Sequence, residues 1–230
     1  MVHVPYMLPE EIRRFGLLDQ EKIKETVLQY DAVISEAADV KTIPVFHGHP
    51  AKSVREWWNT FDNQYFPSKY IDIMLELIGK YSPEYLPYAI EYLNGAVFRG
   101  NNCFVLRKEL FDKLCHFEFP VLFEIDRRIE AEDPAFIQKR AVGYLGEILY
   151  GIFFHALSAS GKYRIAEKQL IYFRDASYIS DQRNLKKKRA LSRLDYILRP
   201  VGTFFFPIGS RPREKIKKAL KAIRGYGNKK

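Results

Sequence analysis

Apolar residues at three- and four-residue spacing alternate along the chain with short apolar runs, a pattern that predicts helices interleaved with strands. Helical spacing joins Ile23, Val27 and Tyr30, and a short buried strand is predicted for the apolar run in YDAVIS. Two further helices are predicted for SKYIDIMLELIGKY and SPEYLPYAIEYL, the second ending at Gly95. This first part of the chain therefore has the pattern of an α/β protein.

The second half of the chain continues the alternation. GAVFRGNNCFVL predicts either a strand pair or one strand with an irregular centre at Arg99 to Asn102. Helical patterns follow from Arg107 to about Arg128, and again beyond Pro134 through Ala156, and LIYFRDA is a last strand candidate. We predict a helix-rich α/β fold with a small sheet.

A loop rich in glycine and proline carries two histidines, His47 and His49, just before a helix. Ser53 with Glu56 three residues later is a capping-box signature for the start of that helix. Two histidines could ligate a metal ion only if further ligands converged on them, and the sequence shows no recognisable ligand spacing. We therefore predict a structural or substrate-contacting loop and no resident metal site.

Composition narrows the class of protein. The sequence has no run of about 18 uninterrupted apolar residues, so we predict no bilayer-spanning helix. The start MVHVPYMLPEEIRR is too short and too acidic for a signal peptide. The two cysteines, Cys103 and Cys115, form neither a disulfide framework nor a zinc pattern. We expect the main body to be cytoplasmic.

The positive charge belongs to one end of the chain. Residues 1–182 hold 21 Lys and Arg against 26 Asp and Glu, a net charge of −5. Residues 183–230 hold 16 against 2, a net charge of +14. This split predicts a main domain over 1–182 and a basic tail over 183–230. It argues against a nucleic-acid-binding domain, because such a domain would spread its basic groups over a folded face.

The tail has the features of a membrane-surface segment. A basic amphipathic helix is predicted from Pro212 to Ile223, directly downstream of an aromatic triplet. The membrane-surface candidates are Phe204, Phe205, Phe206, Lys215, Lys217 and Lys218. An ordinary solvated helix packed on the domain is the alternative, and a nucleic-acid arm, which would bind with a steep salt dependence, is the least favoured.

One candidate group of chemically active residues follows the predicted strand region. The amides of Asn101 and Asn102 stand at the mouth of an apolar strand and could hold sugar hydroxyls. Two carboxylates, Glu124 and Asp126, lie within an otherwise apolar helix. A carboxylate near such a site could accept a proton from an acceptor hydroxyl. The alternative is structural, since Asn pairs mark turns and helical carboxylates often form a solvated face.

A second candidate group lies in QKRAVGYLGEILYGIFF. On a helix Arg140 and Glu147 are seven residues apart and share roughly one face, with Gln138 near its beginning. Arg140 could clamp a phosphate or hydroxyl while Glu147 orients or deprotonates a neighbouring group. A buried Arg–Glu pair beside a glycine that permits close helix packing is the equal alternative.

The order of these segments resembles one bacterial family. YDAVIS, the tryptophan-bearing segment, NNCFVLRKELFDKLCHFEFPVLFEIDRRI and QKRAVGYLGEILYGIFF are together similar to capsular and exopolysaccharide glycosyltransferases, long catalogued as a domain of unknown function. The resemblance covers roughly residues 20–158. It is carried by Asn102, by the helix from Phe119 to Glu124, and by Gln138, Arg140, Gly143, Leu145 and Glu147.

The resemblance implies a partial nucleotide-sugar-transferase fold of the GT-A type, in an N-terminally shortened member that lacks the usual donor-binding portion. It implies transfer of a hexose from a nucleotide sugar to a lipid-linked glycan at the inner membrane face. Glu124 or Glu147 would be the base, and a divalent metal could accompany the donor. The expected partners are the donor, the acceptor, an anionic membrane surface and a partner transferase chain, and no nucleic acid. The alternative is a non-catalytic membrane-surface subunit that pairs with a complete transferase.

Overall fold

A computed structural model describes residues 2–43, 50–137, 140–176 and 184–205, together with residues 212 and 215. The strands are β1 (Val2–Tyr6), β2 (Ala32–Ser35), β3 (Ala38–Asp39), β4 (Val97–Phe98), β5 (Phe104–Leu106), β6 (Ile165–Lys168) and β7 (Ile171–Asp175). The helices are α1 (Pro9–Phe15), α2 (Gln20–Gln29), α3 (Val54–Asn59), α4 (Lys69–Tyr81), α5 (Leu86–Asn94), α6 (Lys108–Glu132), α7 (Ala141–Ser160) and α8 (Leu185–Phe205). Short 3₁₀ turns lie at Val40–Thr42, Pro83–Tyr85 and Pro134–Phe136.

The chain divides into two compact units, of which the first comprises Met1–Leu18, Pro44–His49 and Ile171–Lys230. In this unit β1 and β7 pair in parallel, with Val2 opposite Ile171 and Tyr6 opposite Asp175. Helix α8 packs on β1. Its Arg189 pairs with Glu10 of α1 at 2.9 Å between Nε and Oε1, so the two helices are also joined by charge.

The second unit comprises Asp19–Ile43 and Pro50–Leu170 and holds the larger sheet. Strand β2 is the centre of this three-stranded sheet, with β5 antiparallel on one side and β6 parallel on the other. A second, smaller pair is formed by β3 and β4. The apolar residues of YDAVIS thus form the central strand, flanked on both sides, as a short buried run favours.

Helices α4, α5, α6 and α7 form the core of the second unit around α7. Most positions of α7 are apolar and buried, while Tyr144, Glu147 and His155 are half-buried. Among the described residues, α7 is the one helix whose length and composition would allow it to cross a membrane, and 67% of its apolar window is buried within the chain. That burial is typical of the central helix of a folded domain.

Most predicted elements are confirmed. Helices form over QEKIKETVLQ and KYIDIMLELIGKY, α5 ends with Gly95 as its C-cap, and LIYFRDA contains β7. The Ser53 hydroxyl caps α3 by accepting a hydrogen bond from the Glu56 backbone N–H at 3.2 Å. The helix-rich α/β fold with small sheets is therefore the one predicted.

The prediction that two strands within GAVFRGNNCFVL pair with each other is wrong. Both strands form, as β4 and β5, but β4 pairs with β3 and β5 pairs with β2. The reason is non-local: the intervening loop is anchored by side chains from α5 and β2. Strands β1, β3 and β6 and helices α1 and α8 were not predicted as separate elements.

Several predicted features lie outside the described residues. These are the histidine loop with His47 and His49, Gln138, and most of the tail helix, of which Pro212 and Lys215 are described and helical. Phe206, Lys217 and Lys218 also lie outside, as does the region around residue 182. The domain boundary at that residue stays a prediction.

Candidate functional site

The candidate site lies in the second unit, where the loop between β4 and β5 meets the first turns of α7. The loop is held by Tyr92 of α5, whose hydroxyl accepts from the Arg99 backbone N–H at 3.1 Å and donates to the Arg99 carbonyl oxygen at 3.2 Å. Gly151 of α7 makes this approach possible, because a Cβ there would overlap the Tyr92 hydroxyl and lie 2.7 Å from the Arg99 carbonyl oxygen. Both contacts fix the loop against α7.

Polar groups from the sheet hold the same loop from the other side. The Ser35 hydroxyl, buried at the carboxyl end of β2, donates to the Gly100 carbonyl oxygen at 2.9 Å. The Arg99 guanidinium pairs with Glu167 of β6 at 2.9 Å, with only 15% of the arginine side chain exposed. The loop is therefore fixed at the edge of the sheet where the parallel strands β2 and β6 end, a place where α/β folds commonly bind ligands.

Glu147 of α7 is the carboxylate that this loop reaches. Burial raises its pKa, while the nearby Asn101 backbone N–H and the positive charge of Arg140 hold that pKa down. The structure therefore brings together three of the residues predicted from the sequence. Asn101 contributes its backbone N–H to this contact, whereas the sequence had suggested its side-chain amide.

Arg140 and Asn101 both have left-handed backbone conformations, with φ values of 59° and 66°. For residues other than glycine such a conformation costs of the order of 1 kcal/mol and persists only where surrounding structure determines it. Arg140 precedes α7 as its N-cap, and its Nη2 lies 4.0 Å from the place of a Cβ on Gly143. A Cβ on Gly143 would therefore make only an ordinary contact with the guanidinium, which lies over the first turn of α7.

Two tyrosines complete the wall beside Glu147. The ring of Tyr65 stacks on that of Tyr144, with centroids 4.2 Å apart and planes 29° from parallel. Burial raises the pKa of Tyr65, and the phenol of Tyr144 and the carboxylate of Glu147 add to this rise. The site therefore combines a desolvated carboxylate, an exposed arginine and half-buried aromatic faces.

Glu124, the other predicted base, lies in a different setting on α6. Its carboxylate accepts hydrogen bonds from Arg127 at 2.8 and 3.0 Å and from Arg128 at 3.1 Å. These two arginines lower the pKa of Glu124 to about 2. Arg128 also reaches Glu76 of α4 at 3.4 Å, so the network joins two helices. A carboxylate held in this way is a weak base and a good structural anion.

The remaining predicted residues are placed as follows. Asn102 is exposed beside Asn101, and Phe205 is exposed at the end of α8. Within the described ranges no group of three or more His, Cys, Asp or Glu side chains is placed to hold a metal ion.

Three features of this region were missed in the sequence. The Tyr65–Tyr144 stack joins residues far apart in the chain, and no local pattern announces it. Ser35 directly ends an apolar strand, which is a readable signal for a polar group at a sheet edge. Glu118 of α6 packs against Gly146 of α7, and burial raises the pKa of its carboxyl to about 7, in a stretch that looked like ordinary helix.

A comparison with solved structures identifies a protein of similar fold. A solved structure of the bifunctional glycosyltransferase WbbM, in its apo form, superposes on 76% of this chain with a TM-score of 0.63 and 21% sequence identity. The chain spans 29% of the length of that protein. The helix-rich α/β fold is thus similar to that of a glycosyltransferase.

The family follows from the sequence profile of residues 10–158. These residues match the domain of unknown function DUF4422, and because the match covers well over half of the chain, the protein belongs to that family. No curated protein matches the chain significantly.

Proposed function

We propose that the protein is a glycosyltransferase of capsular or exopolysaccharide synthesis, which moves a hexose from a nucleotide sugar to a hydroxyl of a lipid-linked glycan. The observation that carries this proposal is the grouping of Glu147, the Asn101 backbone N–H and Arg140 beside the stacked tyrosines. The likeness in fold to a glycosyltransferase supports it.

In the proposed step Glu147 is the general base. It takes the proton of the acceptor hydroxyl as that oxygen forms a bond to the anomeric carbon of the donor, and the bond from that carbon to the phosphate oxygen breaks. The electron pair leaves with the nucleoside diphosphate, whose negative charge Arg140 would stabilise. Because burial raises its pKa, Glu147 is a stronger base than an exposed glutamate once it is ionised.

The aromatic faces of Tyr65 and Tyr144 supply the apolar part of the site. Binding sites for organic ligands combine such faces with a few placed polar groups. In the proposal a sugar ring lies against them, and the fixed loop from Arg99 to Asn102 holds the carboxylate in position. Loop anchoring by Tyr92 and Ser35 would keep the base within hydrogen-bond reach of the acceptor.

Thermal unfolding of the purified chain against a panel of nucleotide sugars and nucleoside diphosphates, with and without divalent metal, tests donor binding. A ligand that binds the native state alone must raise its melting temperature. We expect a rise with one nucleotide sugar, lost in Arg140→Ala and kept in Arg55→Ala, a control arginine whose partner is Asp72 on the surface.

A cooperative unfolding transition that no nucleotide shifts would contradict donor binding by this chain. It would instead support the alternative, in which the protein is a non-catalytic membrane-surface subunit that completes or scaffolds a partner transferase. A rise that persists unchanged in Arg140→Ala would place the donor elsewhere and overturn the role of Arg140.

We also propose that the protein attaches to the anionic cytoplasmic face of the cell membrane, and helix α8 supports this. One side of α8 meets its own unit: Ser192 is buried, and Tyr196 accepts a hydrogen bond from Arg14 at 2.9 Å. The opposite side is apolar and exposed. At 100° per residue its members form one stripe, consisting of Leu191, Leu194, Ile197, Leu198 and Phe205.

Charge complementarity favours a lipid surface as the partner of this stripe. Lys186, Lys187 and Arg193 lie on the same helix, in a stretch of the chain, residues 183–230, with a net charge of +14. Apolar side chains flanked by cations suit the boundary between headgroups and acyl chains, where each cation adds about 1 kcal/mol near an anionic surface.

Co-sedimentation with vesicles of phosphatidylcholine and phosphatidylglycerol tests the attachment. We expect the triple variant Leu194→Ser, Ile197→Ser, Leu198→Ser to bind about tenfold or more weakly, because it removes apolar contact area. Leu28→Ser, an exposed leucine on α2, should bind like the unchanged chain. Unchanged binding of the triple variant, or equal binding to DNA that falls steeply with salt, would contradict the proposal.

A further inference from the structure

A cleft in the same unit lies at the opposite end of α7 from Glu147. Its volume is about 400 Å³, within the range of small-molecule sites. Thirteen residues separate Glu147 from Ser160 at the rim of the cleft, a distance of about 20 Å along a helix. The cleft is therefore separate from the candidate transfer site. Its lining consists of Glu84, Tyr85, Tyr88, Lys113, Phe153, Ala156, Leu157, Ser160, Lys162 and Tyr163.

Three tyrosines give the cleft its walls. Tyr85 is held from behind by Phe117, with ring centroids 4.3 Å apart, so its orientation is fixed by the core. Tyr163 is reached through a turn at Gly161, which has a φ of 64° and caps the end of α7. Tyr88 lies half-buried on α5. Rigid aromatic faces around an open volume suit either the C–H faces of a saturated sugar ring or a flat apolar ligand.

The polar groups at the rim decide between these ligands. The Lys113 ammonium donates to the Tyr163 hydroxyl at 2.9 Å, and its Nζ lies 5.5 Å from the centre of that ring. Lys162 is exposed and forms no side-chain ion pair with the described residues, while Glu84 supplies one carboxylate. Two ammonium groups against one carboxylate favour a ligand with a negative charge, and the mixture of donors and an acceptor suits hydroxyl groups.

We propose that this cleft is a secondary binding site for an acidic saccharide, a pyranose that carries a carboxylate or a phosphate. A second saccharide site on the same unit would keep an acidic glycan bound while another part of that glycan occupies the transfer site. Tethering of this kind raises the effective concentration of the acceptor without strengthening the transfer site itself.

Ligand-observed saturation-transfer NMR on the full chain tests the site with three sugar probes: D-glucuronate, α-D-glucose 1-phosphate and methyl α-D-glucoside. Inorganic phosphate, which has no carbon-bound protons, is added as a competitor of the sugar phosphate. For a single hexose we expect a dissociation constant on the order of 1 mM for the two acidic sugars. Stronger transfer from glucuronate would identify a uronic acid, and stronger transfer from glucose 1-phosphate a phosphorylated sugar. Lys162→Ala and Tyr88→Ala should each weaken binding by about fivefold or more.

The matched control is another Lys–Tyr pair on the surface of the same unit. Lys80 lies 4.9 Å from the ring centre of Tyr81, outside the cleft, and Lys80→Ala and Tyr81→Ala should leave saturation transfer unchanged. Transfer from none of the sugars, equal transfer from methyl glucoside, or phosphate that binds as well as the sugar phosphate would overturn the proposal. The assay uses no donor and no turnover, so its failure would leave the proposed transfer reaction standing.

Discussion

Glu124 on α6 and Glu147 on α7 are carboxylates of the same type on helices that pack together, yet their environments differ. Arg127 and Arg128 surround Glu124 and lower its pKa to about 2. Glu147 is partly removed from water, and burial raises its pKa against the Asn101 N–H and Arg140. The comparison separates a carboxylate that is stabilised as an anion from one that is prepared to take a proton.

The two glutamates differ in how far along the chain their partners lie. The partners of Glu124 on α6 lie three and four residues away, so any helix with this sequence would form the pairs. The Asn101 N–H comes to Glu147 through a loop that α5 and β2 anchor. A carboxyl whose pKa is perturbed by burial and by a specific charge partner is a candidate for a functional role.

The largest expected effect is on catalysis and comes from Glu147→Gln. Loss of a general base lowers turnover by about 10²–10⁴-fold, with little change in the binding of the donor. The measurement is nucleoside diphosphate release with donor and acceptor present, together with donor binding by thermal shift. Turnover within a few-fold of the unchanged protein would assign the base to another residue, and Glu147 would then have no catalytic role to distinguish it from Glu124.

Gly151→Ala should break the anchoring that distinguishes Glu147. The added methyl group would overlap the Tyr92 hydroxyl and crowd the Arg99 carbonyl oxygen, and overpacking of this kind costs about 1–3 kcal/mol. Thermal unfolding should show a fall of about 2–4 °C for each kcal/mol.

Gly202→Ala is the matched control, because nothing lies within 4 Å of a Cβ built on Gly202. On α8 this change should stabilise the helix slightly, since alanine favours a helix more than glycine does. Equal melting temperatures for the two variants would show that the close approach at Gly151 carries no energetic weight.

Glu118→Gln tests a third carboxyl, whose pKa is raised by burial alone, without a contact from the loop between β4 and β5. Burial raises its pKa to about 7, so the folded state prefers the protonated form. Stability is then full below the ordinary value near 4.5 and falls as the pH rises through 7. The variant should be more stable than the unchanged chain at pH 8 by about 1–3 kcal/mol and similar at pH 4. Urea unfolding at the two pH values measures this difference, and a constant difference would argue against the raised pKa.

Glu124→Gln should have the smallest effect on turnover, about twofold or less, because its partners are structural. Its lowered pKa means that the carboxylate stabilises the fold above the ordinary value near 4.5, and that this contribution disappears as the pH falls towards 2. We therefore expect a lower urea midpoint than the unchanged chain at pH 7 and matching midpoints near pH 2. A loss of turnover as large as that of Glu147→Gln would make the two carboxylates equivalent.

Local patterns predicted much of the fold because their causes are local. The spacing of α2 and α4, the cap at Ser53 and the end of α5 at Gly95 depend on residues within one or two turns. Strand partners depend on distant segments, so the separate pairings of β4 and β5 could not be seen in the sequence.

The candidate site divides in the same way. Arg140 and Glu147 were predicted as neighbours from helical spacing, and they are near each other, but Arg140 reaches Glu147 from a left-handed N-cap rather than from within the helix. Tyr65 belongs to a turn after α3 and meets Tyr144 only through tertiary packing. Neither fact has a counterpart in residue spacing.

The parallel pairing of β1 with β7 also sets the order in which the protein can fold as it is made. The partner of Val2 is Ile171, so β1 leaves the ribosome long before the strand that completes it. At about 5–20 residues per second the ribosome needs about 10–30 s to reach β7. During that time the apolar residues of β1 are open to chaperones, and β2 waits almost as long for its parallel partner β6, which ends at Lys168.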